Sequence, residues 1–518
     1  MPLGVQALLP FIVLLAAAAL TGLRPRRPEN GWIAIAGAAG GAAITFLELI
    51  RLAPGERVDV PFLTTFPYAD LAIRLDALSL AFGCVTLGTA ALLMLARTRM
   101  SGDRRDPWAS WLLTSLATLS VIMAHNLLLV YIALQVLTLA WTGALDGTAR
   151  RRRTLRLAIQ VADIGLLLAA ASAIQSVGTS AFSGVPSDTF GPAAFGLAVL
   201  PVLVRVAALT WSVQGALAPV AFEPAIAWAA PAGYLLLRLL ALLGGHLPGR
   251  PVEGVLFGGA LAIGAAAALL ALWQRPGLRL AALLLVTQAA VGLALVAGSA
   301  PLMIVGSTWL WLQLIPLAAL ASVRVPAHSA AGAATLVSLG MVPGSAAFVA
   351  AFVGALGLRD NGVPLAVVPL AAVVSLAAVA ALTRVAAPDR LVADVSTGWG
   401  LSLLIPAAFP ILVLQPLVLP AAGTVRTVVA GTLDPGFAGF TADQRFWPSL
   451  LLSVLAAGLL LIASRRLRGR LPLGSPGAQP RIPRRHLPTP AVSLSARWVS
   501  RGLWTAFIVV ALLAVLRP

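Results

Sequence analysis

Runs of about 20 apolar residues recur along this chain from end to end. Each is long enough to cross a hydrocarbon core of about 30 Å. A segment in lipid must satisfy its own backbone polar groups, which leaves only helices and closed barrels. The runs are continuous and do not alternate, so helices are expected. The fold class that follows is all-α, a polytopic transmembrane helix bundle of about 14–16 spans. Composition agrees, with 59% hydrophobic and 10% charged residues, against roughly 45–50% and 25% in soluble domains.

Sixteen runs are read near residues 3–23, 31–50, 71–96, 108–124, 126–145, 155–176, 193–213, 219–245, 253–274, 278–298, 301–323, 330–357, 363–385, 399–420, 447–464 and 498–516. Arginines cluster after the odd-numbered runs, at Arg24/Arg26/Arg27, Arg97 to Arg105, Arg150 to Arg153, Arg275/Arg279, Arg324, Arg384/Arg390 and Arg465 to Arg485. The loop near 213–219 is the exception. The positive-inside rule then puts those loops in the cytoplasm and both termini on the non-cytoplasmic side of an inner, cytoplasmic membrane. Met1 to Leu20 has no basic region before its apolar run, which reads as a retained first span. The net charge of +18 would suggest nucleic acid in a soluble protein. Here it sits in short loops, so the lipid bilayer is the expected partner and nucleic acid is not.

Three regions follow: a bundle over 1–464, a basic Pro/Gly-rich cytoplasmic-face connection over 465–497, and a last helix over 498–518. The connection is too rich in proline for a span. Its arginines suit anionic lipid or an acidic partner, or plain topology.

Several chemistries find no residues. Cys84 is the single cysteine, and the four histidines are scattered. No zinc-protease, phosphate-loop or dinucleotide motif appears. No metal, cofactor or catalytic site is expected in this chain. All 36 basic residues are arginine, and a guanidinium does not give up its proton in proteins, whereas a buried lysine can.

Ionisable groups at membrane depth are costly and become the site candidates. Asp163 in the sixth run and Arg205 in the seventh are each expected about 12 Å deep, at one level, and so able to pair. Gln135 in the fifth run is within reach of either. The cluster reads as a proton or ion relay or as a pair holding helices in register. Glu223, before Pro224, opens the eighth run as a further carboxylate on the path or as a helix cap. Arg238 is expected deep in that run. Glu48 is either buried or snorkelled, and Asp76 is a candidate cap. Broken helices are expected near spans 7 and 12, at Pro201 and at Pro343-Gly344.

Five stretches in order resemble the antiporter-like membrane subunits of respiratory complex I and Mrp antiporters, above all the largest complex I subunit of this kind. They are Ile73 to Ser79, Asn126 to Gln135, Val161 to Gly165, Glu223 to Arg238 and Val342 to Phe348. The resemblance covers roughly 70–360 and implies a subunit of a larger membrane complex, with other membrane or peripheral subunits as partners. Its departures are chemical. Gln135 stands where the family has glutamate, and Arg205 and Ala351 stand where it has lysine. Leu312-Gln313 falls near its further lysine or histidine. The short connection over 465–497 lacks room for the family's lateral helix and is similar to the membrane subunit of DAB inorganic-carbon pumps. The resemblance implies proton or cation movement coupled to a partner's chemistry, either NADH-quinone oxidoreductase-like or inorganic-carbon pumping. The alternative is a transport-inactive anchor with a degenerate path.

Overall fold

The computed structural model describes residues 3–23, 29–53, 55–63, 71–100, 107–144, 149–188, 190–214, 223–274, 277–298, 300–322, 330–343, 345–360, 363–384 and 414–426. The expected connection over 465–497, the expected last helix and Gly344 lie outside them. The helices are α1 (Leu3–Leu23), α2 (Asn30–Arg51), α3 (Ala77–Met100), α4 (Trp108–Ile122), α5 (Leu127–Ala144), α6 (Ala149–Val177) and α7 (Pro192–Gln214). They continue with α8 (Ala230–Leu242), α9 (Arg250–Leu272), α10 (Leu278–Val296), α11 (Pro301–Ser322), α12 (Ala330–Leu339), α13 (Ala346–Asp360), α14 (Val367–Leu382) and α15 (Leu419–Val425). Among the described residues, nine helices are long and apolar enough to cross a membrane. The chain is a polytopic all-α membrane bundle.

Helix α8 and its lead-in, together with α10 and α11, form the buried centre, where about nine-tenths of each span is covered by protein. Helices α2, α9 and α14 carry more exposed apolar surface, as lipid-facing helices do. Helix α2 lies close on α3 because its inner face is small: a Cβ at Gly31 would strike Thr98, and one at Gly41 would come 3.0 Å from Leu87.

One end of the bundle departs from the all-helix expectation. Val58–Leu63 (β1) and Leu71–Leu75 (β2) form an antiparallel hairpin with Val58 opposite Leu75. Residues 71–75, expected as the start of the third span, are therefore strand. The hairpin is pinned to the helix ends: Arg74 N–H donates to Met123 O at 2.8 Å, and His125 N–H to Ala72 O at 3.2 Å. The loop after α6 joins it, with Leu127 N–H donating to Ser180 O at 3.0 Å and Phe182 N–H to His125 O at 3.2 Å. Asp76 caps α3 as expected, accepting from Ser79 N–H at 2.9 Å while its own N–H donates to Ser79 Oγ at 3.0 Å. Asn126 likewise caps α5, through Leu129 N–H at 2.7 Å.

The helix irregularities fall in two places. Helix α7 runs unbroken through Pro201, which corrects the expected break there. The irregular turn comes next along the chain, as a π-helical segment over Glu223–Ala229 that leads into α8. Thr118 from α4 serves it, donating to Ile226 O at 3.1 Å. The second is the expected break near Pro343, between α12 and α13, where Met341 takes a left-handed φ of 50°. Helix α14 presses close at this break, since a Cβ on Gly340 would run into Ala381. Gln288 of α10 closes the interruption, donating from Nε2 to Ser338 O at 2.7 Å and Leu339 O at 3.1 Å. At the C-terminus of α9, Arg384 does the same for Leu272 O at 2.6 Å and Gln274 O at 2.7 Å.

Gln288→Leu keeps the volume and strips donors from two buried carbonyls. A loss of about 1–3 kcal/mol in stability is expected, visible as earlier thermal unfolding in detergent. An unchanged melting curve would show that the break does not depend on Gln288.

Candidate functional site

The candidate relay assembles where three helices meet. Asp163 lies at the midpoint of the 29-residue α6, Arg205 near the middle of α7 and Gln135 at the middle of α5. Helix α6 begins at Ala149, earlier than expected, and the added turn is the arginine run over 150–153. Asp163 is 0% and Arg205 2% exposed. The pair is bidentate: Arg205 Nη1 donates to Asp163 Oδ1 at 2.7 Å and Nη2 to Oδ2 at 3.1 Å. Gln135 Nε2 adds a bond to Asp163 Oδ2 at 3.3 Å. Gln160, one turn before Asp163, donates to Gln135 Oε1 at 3.4 Å. Sequence reading missed Gln160, although its spacing from Asp163 puts both on one helix face.

Pro201 and Gly165 shape this contact. Proline has no N–H to give the carbonyl four residues back, which here belongs to Leu197. That oxygen faces Gly165 on α6, where a Cβ would come within 2.5 Å. The glycine thus lets α6 and α7 touch backbone to backbone, two residues from the ion pair. Arg205 Nη1 also donates to Pro201 O at 3.2 Å, so the guanidinium has a partner besides the carboxylate.

Arg238 does not join this group. It lies at the hairpin end of α8, where Nη1 donates to Asp76 Oδ2 at 2.6 Å, Nη2 to Oδ1 at 2.8 Å and Nε to Tyr234 Oη at 3.0 Å. The Phe182 ring contacts both cations, with its centroid 5.5 Å from the Arg238 guanidinium carbon and 5.8 Å from that of Arg74. Arg74 in turn forks onto Asp59 at 2.8 and 3.0 Å, and His125 Nδ1 lies 3.0 Å from Asp59 Oδ1. This ionic cap is a structural layer, apart from the mid-membrane pair. Burial acts to raise the proton affinity of Asp59, but the bonds and charges from Arg74 and His125 outweigh it and hold the carboxyl well below the usual carboxylate range. Asp59, His125 and Phe182 were not legible as a group, because they come from strand β1 and two separate loops.

The remaining candidates are dispersed. Glu223 opens the π-helical turn, and its side chain lies outside the described residues. Ala351 is buried in α13 and Gln313 in α11. Among the described residues no group of three or more histidine, cysteine or acidic side chains is placed to hold a metal.

The fold defines a class: a polytopic all-α membrane protein with an interrupted helix between α12 and α13. No protein-family profile and no curated protein matches the chain. Solved structures do. A chain of the Mrp complex from Dietzia sp. DQ12-45-1b superposes with a TM-score of 0.74 at 18% identity, covering 96% of this chain and 59% of that one. This chain therefore spans about 59% of that chain's length. A chain of respiratory complex I from Thermus thermophilus gives 0.67 at 17% identity, covering 82% of this chain and 100% of that one. A chain of the membrane-bound sulfane sulfur reductase, an archaeal respiratory membrane complex, gives 0.70 at 14% identity, covering 98% and 96%. At such identities the likeness is one of fold.

Asp163→Asn leaves a buried guanidinium without its counter-charge and should cost about 3–5 kcal/mol. Asp163→Leu with Arg205→Met should recover most of that, and a double-variant melting temperature as low as the single variant's would contradict it. At the hairpin, Asp59 has its proton affinity lowered by folding, so its stabilisation is complete above the unfolded value near pH ~4. It should fade as the pH falls below that value. Acid unfolding of Asp59→Asn should accordingly show a flatter pH dependence than that of the wild type.

Proposed function

We propose that this chain is an antiporter-like membrane subunit of a hetero-oligomeric complex, in which movement of protons or cations is coupled to a partner subunit's chemistry. The observation that carries the reading is the bidentate Asp163–Arg205 pair, wholly buried at mid-span and joined to Gln135 and Gln160. Buried ionisable groups at this depth are expensive and mark ion pathways by default. In the pair only the carboxyl can exchange a proton, because a guanidinium holds its own. A proton arriving on Asp163 cancels the attraction to Arg205. The guanidinium then keeps Pro201 O as a partner, and the carboxyl is free to pass its proton on. The three structural neighbours belong to multi-subunit membrane complexes, two of them respiratory by description. They support membrane and peripheral partners and favour a redox partner of the NADH-quinone oxidoreductase kind. The short basic connection over 465–497 favours instead a carbon-pump partner. Arginine placement supports a multi-pass position in the cytoplasmic membrane with the hairpin and both termini on the non-cytoplasmic side.

A specific observation favours a second reading, a transport-inactive anchor. Gln135, Arg205 and Ala351 cannot relay protons as glutamate and lysine do, and Asp163 has a bond on each of its oxygens.

Copurification from mild detergent identifies the partner. The purified complex in proteoliposomes, with a trapped pH-sensitive dye, then separates the readings. The transport reading expects flux that falls roughly tenfold or more in Asp163→Asn, equivalent to ~1.4 kcal/mol of barrier. An assembled complex whose flux is indifferent to Asp163 would leave the anchor.

A further inference from the structure

Helix α2 carries a stripe of buried residues at helical spacing, Ala34, Ala38, Gly41, Thr45 and Glu48. The stripe faces inward, since positions 31 and 41 abut α3 while Trp32, Leu47 and Ile50 are exposed. Glu48 thus occupies the most closely packed face of its helix and does not snorkel along the outer one. It is 8% exposed. Among the described residues neither carboxyl oxygen has a hydrogen-bond partner. Thr45, one turn away, spends its hydroxyl proton on Gly41 O and Ala42 O.

An unpaired buried carboxylate is costly enough that such a group takes a proton instead. We propose that Glu48 is a proton-binding carboxyl of the membrane domain, a second site apart from the Asp163–Arg205 pair. Helix α2 packs on α1, α3 and α4, whereas the pair is held by α5, α6 and α7. The charged and titratable groups on these neighbours are few. Arg51 lies one turn on in α2, and Cys84 lies within α3. Asp76 at the head of α3 is engaged by Arg238, and His125 beyond α4 faces Asp59. Arg97 and Arg99 belong to the far end of α3, and α1 and α4 contain no charged residue. A proton fits this site better than a metal ion. Hard cations such as calcium want six to eight oxygens, and Glu48 belongs to no group of three or more potential metal ligands among the described residues. The carboxyl is also close to water, since α2 ends three residues later at Arg51, about 4.5 Å along the axis. The site is therefore placed to exchange its proton with the hairpin side.

Carbodiimide, which attacks protonated carboxyls in apolar surroundings, tests this on the purified full-length protein by peptide mass spectrometry. An adduct on Glu48 is expected, declining as the pH is raised and indifferent to sodium. In infrared spectra, wild type minus Glu48→Gln should show a carboxylic-acid C=O band that shifts in D2O. Glutamine keeps the size and the neutral state, so this variant should elute as the wild type does. If it does not fold, adduct mapping on the wild type decides alone. Absence of an adduct on Glu48 at every pH overturns the proposal. So does a band that fails to shift in D2O, which would mark a sealed structural acid. Protection by sodium would make the site one for a metal cation and would also overturn it.

Discussion

A full positive and a full negative charge, both removed from water in the middle of a helical bundle, set the terms for the surrounding structure. The Asp163–Arg205 pair is tolerable there only because its geometry is bidentate and Gln135 supplies a further bond. That geometry in turn needs α6 and α7 to come very close, which they do where Gly165 meets Leu197 O. Pro201 contributes by leaving that carbonyl without its usual helical donor and by offering its own to Arg205. Residues of three kinds, charged, small and imino, thus serve one contact.

The bundle handles its other polar demands locally. At the hairpin end an ionic layer of Asp59, Arg74, His125, Asp76 and Arg238, with Phe182 against both arginines, ties the two strands to α8 and to the loops that carry His125 and Phe182. At the α12–α13 break, Gln288 satisfies carbonyls that the interrupted helix leaves free. Neither device needs a titratable group at mid-membrane. The contrast isolates Asp163 and Glu48 as carboxyls embedded in spans, one held by a cation and the other without a partner among the described residues. The first suits a gated response, in which proton uptake breaks an ion pair. The second suits simple uptake and release.

Arginine, where a lysine would also fit as the cation, limits what the pair can do. A lysine can hand its proton on, so both members of a carboxylate–lysine pair take part in transfer. With arginine, the cation can only move or stay, and all proton traffic falls to the carboxylate. That difference explains why one fold accommodates both a transport reading and an anchor reading for this chain. The structural neighbours share the fold at 14–18% identity and do not decide between them.

The sequence by itself determined the class of fold and the heart of the site. Runs of about 20 apolar residues admit little but membrane helices. Charges as rare as Asp163 and Arg205, at like depth in successive helices, had few partners besides each other. The break near Pro343 and the cap at Asp76 were legible too, because proline and capping chemistry act within a turn of the chain. Only the tertiary structure decided what depends on distant segments meeting. It made residues 71–75 a strand, paired with Val58–Leu63, which no local pattern required. It kept α7 continuous through Pro201 and moved the irregular turn to Glu223–Ala229, since neighbouring helices set where a freed carbonyl can be served. It also took Arg238 away from the mid-membrane group to Asp76, and turned Glu48 inward. Sequence fixes how deep a residue lies along its own helix, but the rotation of that helix against its neighbours, and so the partner, is set by packing.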